Sequence, residues 1–276
     1  MRPVYYLGLF IPIAVALDIA SASPPLVFFA AALGVVPTAA LMGDATENLA
    51  ARSGPGIGGL LNVTFGNAPE LIIALFALSK GLQEVVKASL VGSIIGNVLL
   101  VMGASMLIGG IGRKTQKFNA TAANAQASML LLALVALILP AIFQLVHGGR
   151  LPHVGESANN FSSDLEHLSF GVAIVLIVSY GAGLLFSLRT HRSLFNPYSE
   201  SEDGKSGGHG EEGDEEPWTT KKSVTLLAIA GVLVGVMSEV LVGSIEEASR
   251  EIGLSQFFVG LFVVAIVGNA AEHWVA

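Results

Sequence analysis

Long apolar runs alternate with short polar stretches along most of the chain. An α-helix rises about 1.5 Å per residue, so crossing the hydrocarbon core of a bilayer, roughly 30 Å thick, takes about 20 apolar residues. The first run, residues 5–20, predicts a helix that is retained, although a cleaved signal peptide is the competing interpretation. Further membrane spans are predicted at residues 26–42, 58–79, 88–110, 123–146, 168–188, 224–242 and 257–267.

The composition agrees with this pattern. Of the 276 residues, 53% are hydrophobic and only 13% are charged, whereas an average soluble domain has about 25% charged residues. We therefore expect an all-α, polytopic membrane protein. The formal net charge of -7 is concentrated in a linker, because 8 of the 21 acidic residues lie between Glu200 and Glu216. Nucleic acid is not an expected partner, and the lack of cysteine excludes disulfides and thiolate metal ligands.

The span at residues 58–79 contains a helix-breaking motif. Its 22 residues cross the bilayer only once, so the motif Gly66-Asn67-Ala68-Pro69-Glu70 lies near the middle of the membrane. Pro69 has no N–H to donate and its ring crowds the preceding turn, while Gly66 readily leaves helical angles. We predict two half-helices that meet here, with free carbonyls at residues 62–65 and Glu70 in the first turn of the second half. Carbonyl, amide and carboxylate oxygens at one depth are suitable ligands for Ca²⁺.

The same motif occurs a second time near the C-terminus. Residues 66–70, GNAPE, align with residues 268–272, GNAAE, after a shift of 202 residues, and the same shift aligns Gly58 with Gly260. Five spans separate the start of one copy from the start of the other. Because five is an odd number, the second copy enters the membrane from the opposite side, which is the inverted-repeat architecture of secondary transporters.

Positive charges in the loops predict the orientation. Ten Lys and Arg residues lie on the side of the N-terminus and four on the other, so the N-terminus and the acidic linker are expected in the cytoplasm. The predicted organisation is an extra N-terminal helix at residues 1–25, a first five-helix repeat at 26–190, a linker at 191–221 and the start of the second repeat at 222–276. The second repeat is expected to be incomplete, since the chain stops four residues after Glu272.

At these residues the sequence resembles the calcium/proton exchanger family of the calcium/cation antiporter superfamily. TFGNAPE and VGNAAEH match the two signature repeats of that family, and GDATENLA, GSIIGN and SEVLVGSIEEAS fall where the family has related stretches. The resemblance implies ten core helices in two inverted halves plus an extra N-terminal helix. It also implies that Glu70 and Glu272 bind the transported ion, that the partners are Ca²⁺, H⁺ and the lipid bilayer, and that the membrane is a prokaryotic cell membrane, or a vacuolar one in a eukaryote. No organic cofactor is expected, and a homo-oligomer is compatible with these features.

The expected ion site contains residues from both copies. A charged residue at a helix centre costs about 2.5–3.5 kcal/mol on insertion scales, so two glutamates need neutralisation by Ca²⁺ or by protons. Asn67 and Asn269 are expected to orient the glutamates or to supply ligands, the alternative being that they cap the half-helices. Ser93 and Asn97 of the 88–110 span are expected to face the site, the alternative being hydrogen bonds between helices that only hold the bundle together. That span carries Gly92-x-x-x-Gly96, a spacing that allows close backbone approach, and we expect it to pack against the broken helix. The predicted site residues are Glu70, Glu272, Asn67, Asn269, Gly66, Gly268, Thr64, Ser93 and Asn97, with Glu70 and Glu272 also carrying the protons.

Other acidic residues are assigned to the approaches of the site. Glu47 and Glu246 are expected near opposite faces of the membrane, and Glu239 lies seven residues before Glu246, hence on the same side of its helix but deeper. These residues could attract cations to the vestibules or could simply be solvated helix ends. The linker is expected to bind Ca²⁺ weakly and to regulate transport through Glu211, Glu212, Asp214, Glu215 and Glu216, a solvated tether being the alternative.

Two alternatives to Ca²⁺/H⁺ exchange remain. An intramembrane hydrolase could also use two buried carboxylates, although that chemistry needs neither a Gly-Asn pair before each acid nor inverted copies. The chain could otherwise be an inactive fragment or a subunit of an antiporter. The sequence favours a transporter and not an enzyme.

Overall fold

The computed structural model describes residues 3–116, with only the backbone at 54–56, and residues 118–147, 162–190 and 218–269. All regular secondary structure in these ranges is helical. The helices are α1 Pro3–Ile19, α2 Pro24–Ser53, α3 Ile57–Gly66, α4 Ala68–Ser79, α5 Gln83–Gly110, α6 Ala120–Val146, α7 Ser163–Thr190, α8 Thr220–Ile252 and α9 Gln256–Gly268.

The helices confirm that the chain is a polytopic membrane protein. In the described ranges, five helices are long and apolar enough to cross a bilayer, and the bent pair of α3 and α4 forms a sixth candidate span. The five are α2, α5, α6, α7 and α8. The shorter α1 and α9 are also apolar. The apolar runs read from the sequence therefore correspond to helices throughout the described part.

Two helices extend well beyond the apolar runs that predicted them. The run at 26–42 is part of α2, which continues to Ser53, and the run at 224–242 is part of α8, which continues to Ile252. Polar residues do not end a helix unless they offer the backbone another conformation, so hydrophobicity alone underestimates helix length. Gly253 ends α8 in the left-handed conformation, with φ 75°, which is the usual role of glycine after a helix.

The chain bends sharply between α2 and α3. Helical hydrogen bonding runs from Pro24 to Gly66, yet a Cβ built on Gly58 would lie 2.5 Å from the carbonyl oxygen of Ala50. A straight helix would separate two residues eight positions apart by about 12 Å along its axis. The bend therefore lies at residues 51–57, where the sequence Ser-Gly-Pro-Gly predicts a turn.

The chain divides into two compact units. The described residues up to 114 and from 218 onward form the first unit, which contains α1 to α5, α8 and α9, and the described residues between 115 and 190 form the second, which contains α6 and α7. Within the second unit α6 and α7 pack together, and a Cβ on Gly183 would lie 2.9 Å from Met129 Cε.

The core of the first unit is the pair of α2 and α8, which share its largest helix interface. A Cβ on Gly34 would lie 2.7 Å from Met237 Sδ, and one on Gly231 would lie 3.7 Å from Met42 Cε. Residues nearer the start of α2 contact residues nearer the end of α8, so the two helices are antiparallel. The helix α1 packs against both. The largest buried side chains of this core are Phe28, Val35, Met237, Leu241 and Ile245.

Candidate functional site

The predicted break in the helix is confirmed. The axes of α3 and α4 differ by 41°, and Asn67 joins them with φ -99° and ψ 11°. Pro69 occupies one of the first two positions of α4 and is buried, and Glu70 lies in the first turn. Pro at this position needs no hydrogen-bond acceptor, because the first N–H groups of a helix have no intrahelical partner. The break therefore follows from Gly66, Asn67 and Pro69 acting together.

Asn67 contacts its own helix. Its Nδ2 donates a hydrogen bond to the carbonyl oxygen of Val63 at 3.2 Å, and its side chain is exposed. This contact satisfies one of the carbonyls that the break releases from helical bonding. The amide nitrogen thus acts as a cap, which is one of the two roles that the sequence allows for this residue.

The second copy of the motif is more enclosed. The helix α9 ends at Gly268, and the backbone N–H of Asn269 donates to the carbonyl oxygen of Ala265 at 3.1 Å. Asn269 is only 2% exposed. Residues 270–276, which include Glu272, lie outside the described part of the chain.

The two copies meet at Glu70 and Gly268. A Cβ built on Gly268 would lie 3.0 Å from Glu70 Cγ and 3.5 Å from both Glu70 Cδ and Oε1. The side chain of the first copy therefore lies directly against the backbone of the second. Glu70 and Gly268 are 198 positions apart in the sequence, and their contact is the most specific feature of the site in the described residues.

The span containing Ser93 and Asn97 approaches the site through the second copy. A Cβ on Gly92 would lie 2.1 Å from the carbonyl oxygen of Leu261 and 2.8 Å from Ala265 Cβ. In return, a Cβ on Gly260 would lie 2.7 Å from the carbonyl oxygen of Val85. The helix α5 contacts α4 of the broken helix, as predicted, but the close approach at Gly92 is to α9. Small residues indicate that a backbone comes close, but they do not identify which helix provides it.

The polar residues of α5 lie next to this crossing. Ser93 directly follows Gly92 and is half-buried. Asn97 is half-buried as well and belongs to a π-helical turn at Gly96–Val101, a local widening that is frequent at functional sites. A Cβ added to Gly96, by contrast, would meet no described atom within 4 Å, so only the first glycine of the pair makes the close contact.

The remaining predicted residues are exposed or lie outside the described part. Thr64 lies in the last turn of α3 and is exposed, as are Glu47, Glu239 and Glu246. Glu239 and Glu246 share the exposed side of α8, as their spacing predicts. In the described ranges no group of three or more His, Asp and Glu residues could hold a metal ion. The linker residues Glu211, Glu212, Asp214, Glu215 and Glu216 lie outside those ranges.

The sequence did not reveal a polar connection at the end of α2. Asn48 Oδ1 accepts a hydrogen bond from the backbone N–H of Trp218 at 3.0 Å, and Asn48 Nδ2 donates to the carbonyl oxygen of Asp44 at 2.8 Å. Lys222 Nζ lies 4.4 Å from the centre of the Trp218 ring. A Trp just before an apolar span is typical of a membrane interface, but nothing in the sequence indicates Asn48 as its partner.

Comparison with known proteins identifies related chains. A family profile described as "Sodium/calcium exchanger protein" matches residues 23–189 and 222–276. A Ca(2+)/H(+) antiporter from Aphanothece halophytica is 43% identical over 256 residues, which cover 91% of this chain and 65% of the relative. A Ca(2+)/H(+) antiporter from Synechocystis sp. is 46% identical over 254 residues, which cover 90% and 65%.

A solved structure also resembles the fold. The crystal structure of the selenium-substituted Ca2+/H+ antiporter protein YfkE superposes with a TM-score of 0.74 at 32% sequence identity, covering 99% of this chain and 70% of that one. The chain spans about two thirds of the length of the curated relatives described here.

Proposed function

Since the chain belongs to the sodium/calcium exchanger protein family, we propose that it is a secondary active transporter that exports Ca²⁺ from the cytoplasm in exchange for H⁺. The two curated relatives are named Ca²⁺/H⁺ antiporters, which are transporters and not enzymes. The observation that carries the proposal is the position of Glu70. Its side chain lies at the bend of a candidate membrane span and against the second copy of the motif.

A carboxylate in the middle of a span needs neutralisation. Glu70 and Glu272 together would cost roughly 5–7 kcal/mol if both were charged at helix centres without compensation. A bound Ca²⁺ removes this cost, and so do protons on the carboxyl groups. Because the cation and the protons bind to the same oxygen atoms, one excludes the other, and this competition is the physical requirement for exchange.

The proposed ligands come from both copies of the motif. Glu70 supplies a carboxylate from α4, and we propose that Glu272 supplies the second one. The amide N–H of Asn67 donates a hydrogen bond to the carbonyl oxygen of Val63, which leaves the amide oxygen of Asn67 as the atom suited to a cation. The other proposed ligands are the carbonyl or side-chain oxygens of Asn269, Gly66, Gly268, Thr64, Ser93 and Asn97, a mixture of hard oxygen atoms that suits Ca²⁺.

Alternating access requires that the site open to each side in turn. The antiparallel packing of α2 and α8, the first helices of the two copies, supports an inverted relation between the copies. In this arrangement Glu47 would attract cations to the cytoplasmic vestibule and Glu246 to the opposite one, with Glu239 deeper on the same side of α8. The intramembrane hydrolase remains the alternative function, and no contact in the described residues favours it.

The test is Ca²⁺ uptake into vesicles that contain the purified protein and carry an imposed pH gradient. We expect uptake by the native sequence and none by Glu70→Gln, because the amide cannot neutralise a divalent cation or carry the exchanged proton. As the relatives are longer, the measurement is made for this chain and for a version joined to the C-terminal part of such a relative.

Glu166→Gln is the matched control. Glu166 is an exposed carboxylate in the first turn of α7, so the same chemical change there should leave uptake unaltered. Ca²⁺ uptake that survives in Glu70→Gln would refute the assignment of the site. Absence of uptake by the unsubstituted chain, both alone and joined to the C-terminal part of a relative, would refute the proposed transport activity.

The acidic linker is proposed to regulate transport. Its carboxylates at residues 200–216 are dense but lack the fixed spacing of a calcium-binding loop, so we expect weak Ca²⁺ binding. Deleting these residues should change the dependence of transport on cytoplasmic Ca²⁺ while exchange itself continues. Loss of all exchange in a folded deletion variant would contradict a regulatory role.

A further inference from the structure

The backbone conformation of Gly268 does not require a glycine. It lies in the last turn of α9, and the glycines with positive φ in the described residues are Gly81, Gly112 and Gly253. An alanine would be a better helix former at this position by about 1 kcal/mol. The reason for glycine must therefore come from the neighbours of Gly268.

The atoms around Gly268 differ from those around the other closely packed glycines. Gly92 and Gly260 are contacted by backbone carbonyl oxygens of a crossing helix, so they serve helix packing. The three atoms nearest to a Cβ on Gly268 all belong to the side chain of Glu70, with Cγ at 3.0 Å. Carbon atoms prefer separations of about 3.5–4.0 Å. The nearest atoms that an added methyl group would contact therefore belong to the Glu70 side chain and not to the backbone of a neighbouring helix.

We propose that Gly268 is a positioning residue whose missing side chain determines where the Glu70 carboxylate lies. The inference rests on the proposed function, because it assigns the position of a cation ligand in the first copy to the backbone of the second. Ca²⁺ binds oxygen atoms at about 2.3–2.6 Å, so a displacement of roughly half an ångström lengthens that bond appreciably. Cation affinity then depends on a residue that need not contact the cation through a side chain.

The first experiment separates affinity from rate in Gly268→Ala. We expect the half-saturating Ca²⁺ concentration to rise about tenfold, a moderate effect for a displaced functional group, while the maximal rate stays close to that of the native protein. The control is Gly243→Ala in α8, where an added Cβ meets no described atom within 4 Å, and its half-saturating concentration should be unchanged. If the native protein transports Ca²⁺ and both variants behave alike, the positioning role is refuted while the transport function stands.

The second experiment does not depend on transport. In Glu70→Ala the atoms beyond Cβ are gone, so Gly268→Ala should no longer meet an obstacle. A double-mutant cycle on thermal unfolding in detergent isolates this coupling. We expect Gly268→Ala to lower the melting temperature of the native protein and to leave that of Glu70→Ala unchanged or higher. An equal decrease in both backgrounds would mean that the glycine serves some other neighbour.

Discussion

Asn67 and Asn269 occupy the same position in the repeated motif, yet Asn67 is exposed and Asn269 is 2% exposed. The glycines before them differ in the same way. Gly268 lies against Glu70, whereas a Cβ on Gly66 would meet no described atom within 4 Å. The second copy is enclosed by several helices from the first half of the chain, among them α5, which crosses α9 at Gly92 and Gly260.

The difference shows what the motif does and does not encode. A helix ends at the Gly-Asn pair in both copies, since α3 ends at Gly66 and α9 at Gly268. Burial, however, depends on the helices that pack over the motif, and for the second copy these lie within residues 24–66, 68–79 and 83–95. The surroundings of the second copy are therefore supplied by helices from the first half of the chain.

The largest effect is expected where α5 crosses the second copy. In Gly92→Ala the new Cβ would lie 2.1 Å from the carbonyl oxygen of Leu261, and backbone cannot move aside as a side chain can. We expect a loss of about 3 kcal/mol of stability or more, seen as a lower melting temperature in detergent. Gly96→Ala, four residues along the same helix and open on that side, should be neutral or slightly stabilising. Similar melting temperatures for Gly92→Ala and Gly96→Ala would mean that α5 does not help to enclose the second copy.

An intermediate effect is expected from the asparagines themselves. Replacing the buried Asn269 with alanine removes tightly packed side-chain atoms from an enclosed position, and we expect a loss of about 1–3 kcal/mol. Asn67→Ala removes a long hydrogen bond of 3.2 Å on an exposed side chain, so a change within about 0.5 kcal/mol is expected. Denaturant or thermal unfolding of both variants measures the contrast. Equal losses would show that burial does not distinguish the copies.

The smallest effect is expected in the turn before the second copy. Gly253 has φ 75°, a conformation that costs an ordinary residue roughly 1–2 kcal/mol. Gly253→Ala should therefore lower the melting temperature slightly, and Gly253→Asn should lower it less, because asparagine tolerates this region better. The comparison uses the same unfolding assay. The control is Gly243→Ala, because Gly243 lies inside α8 and has no positive φ. A larger loss for asparagine than for alanine would contradict the assigned cause.

Local features of the site could be predicted from the sequence. Pro69 and Gly66 restrict their own backbone, so the break between α3 and α4 follows from residues that are adjacent in the chain. The repeat also indicated that Glu70 and Gly268 belong to one region. It could not indicate that their atoms touch, because the depth at which two helices cross depends on all the side chains between them.

Contacts between distant helices were the part that the sequence could not supply. The spacing of Gly92 and Gly96 predicted a close neighbour in the broken helix, which α5 does contact, but it did not predict that α9 makes the close approach at Gly92. The bond from Trp218 to Asn48 joins residues 170 positions apart. A single sequence contains no pairwise information at that distance, so such contacts require coordinates.

The crossing of α5 and α9 also has a consequence for biosynthesis. The backbone atoms that contact Gly260 belong to Val85, so this part of α5 leaves the ribosome about 175 residues before its partner. At about 5–20 residues per second, this interval lasts roughly 10–30 s. During that time Gly92 and its neighbours must face lipid or another protein, and Glu70 is already in the membrane before Gly268 has been made. The first half of the site is therefore inserted as a precursor, and its geometry is completed only by a late, long-range docking step.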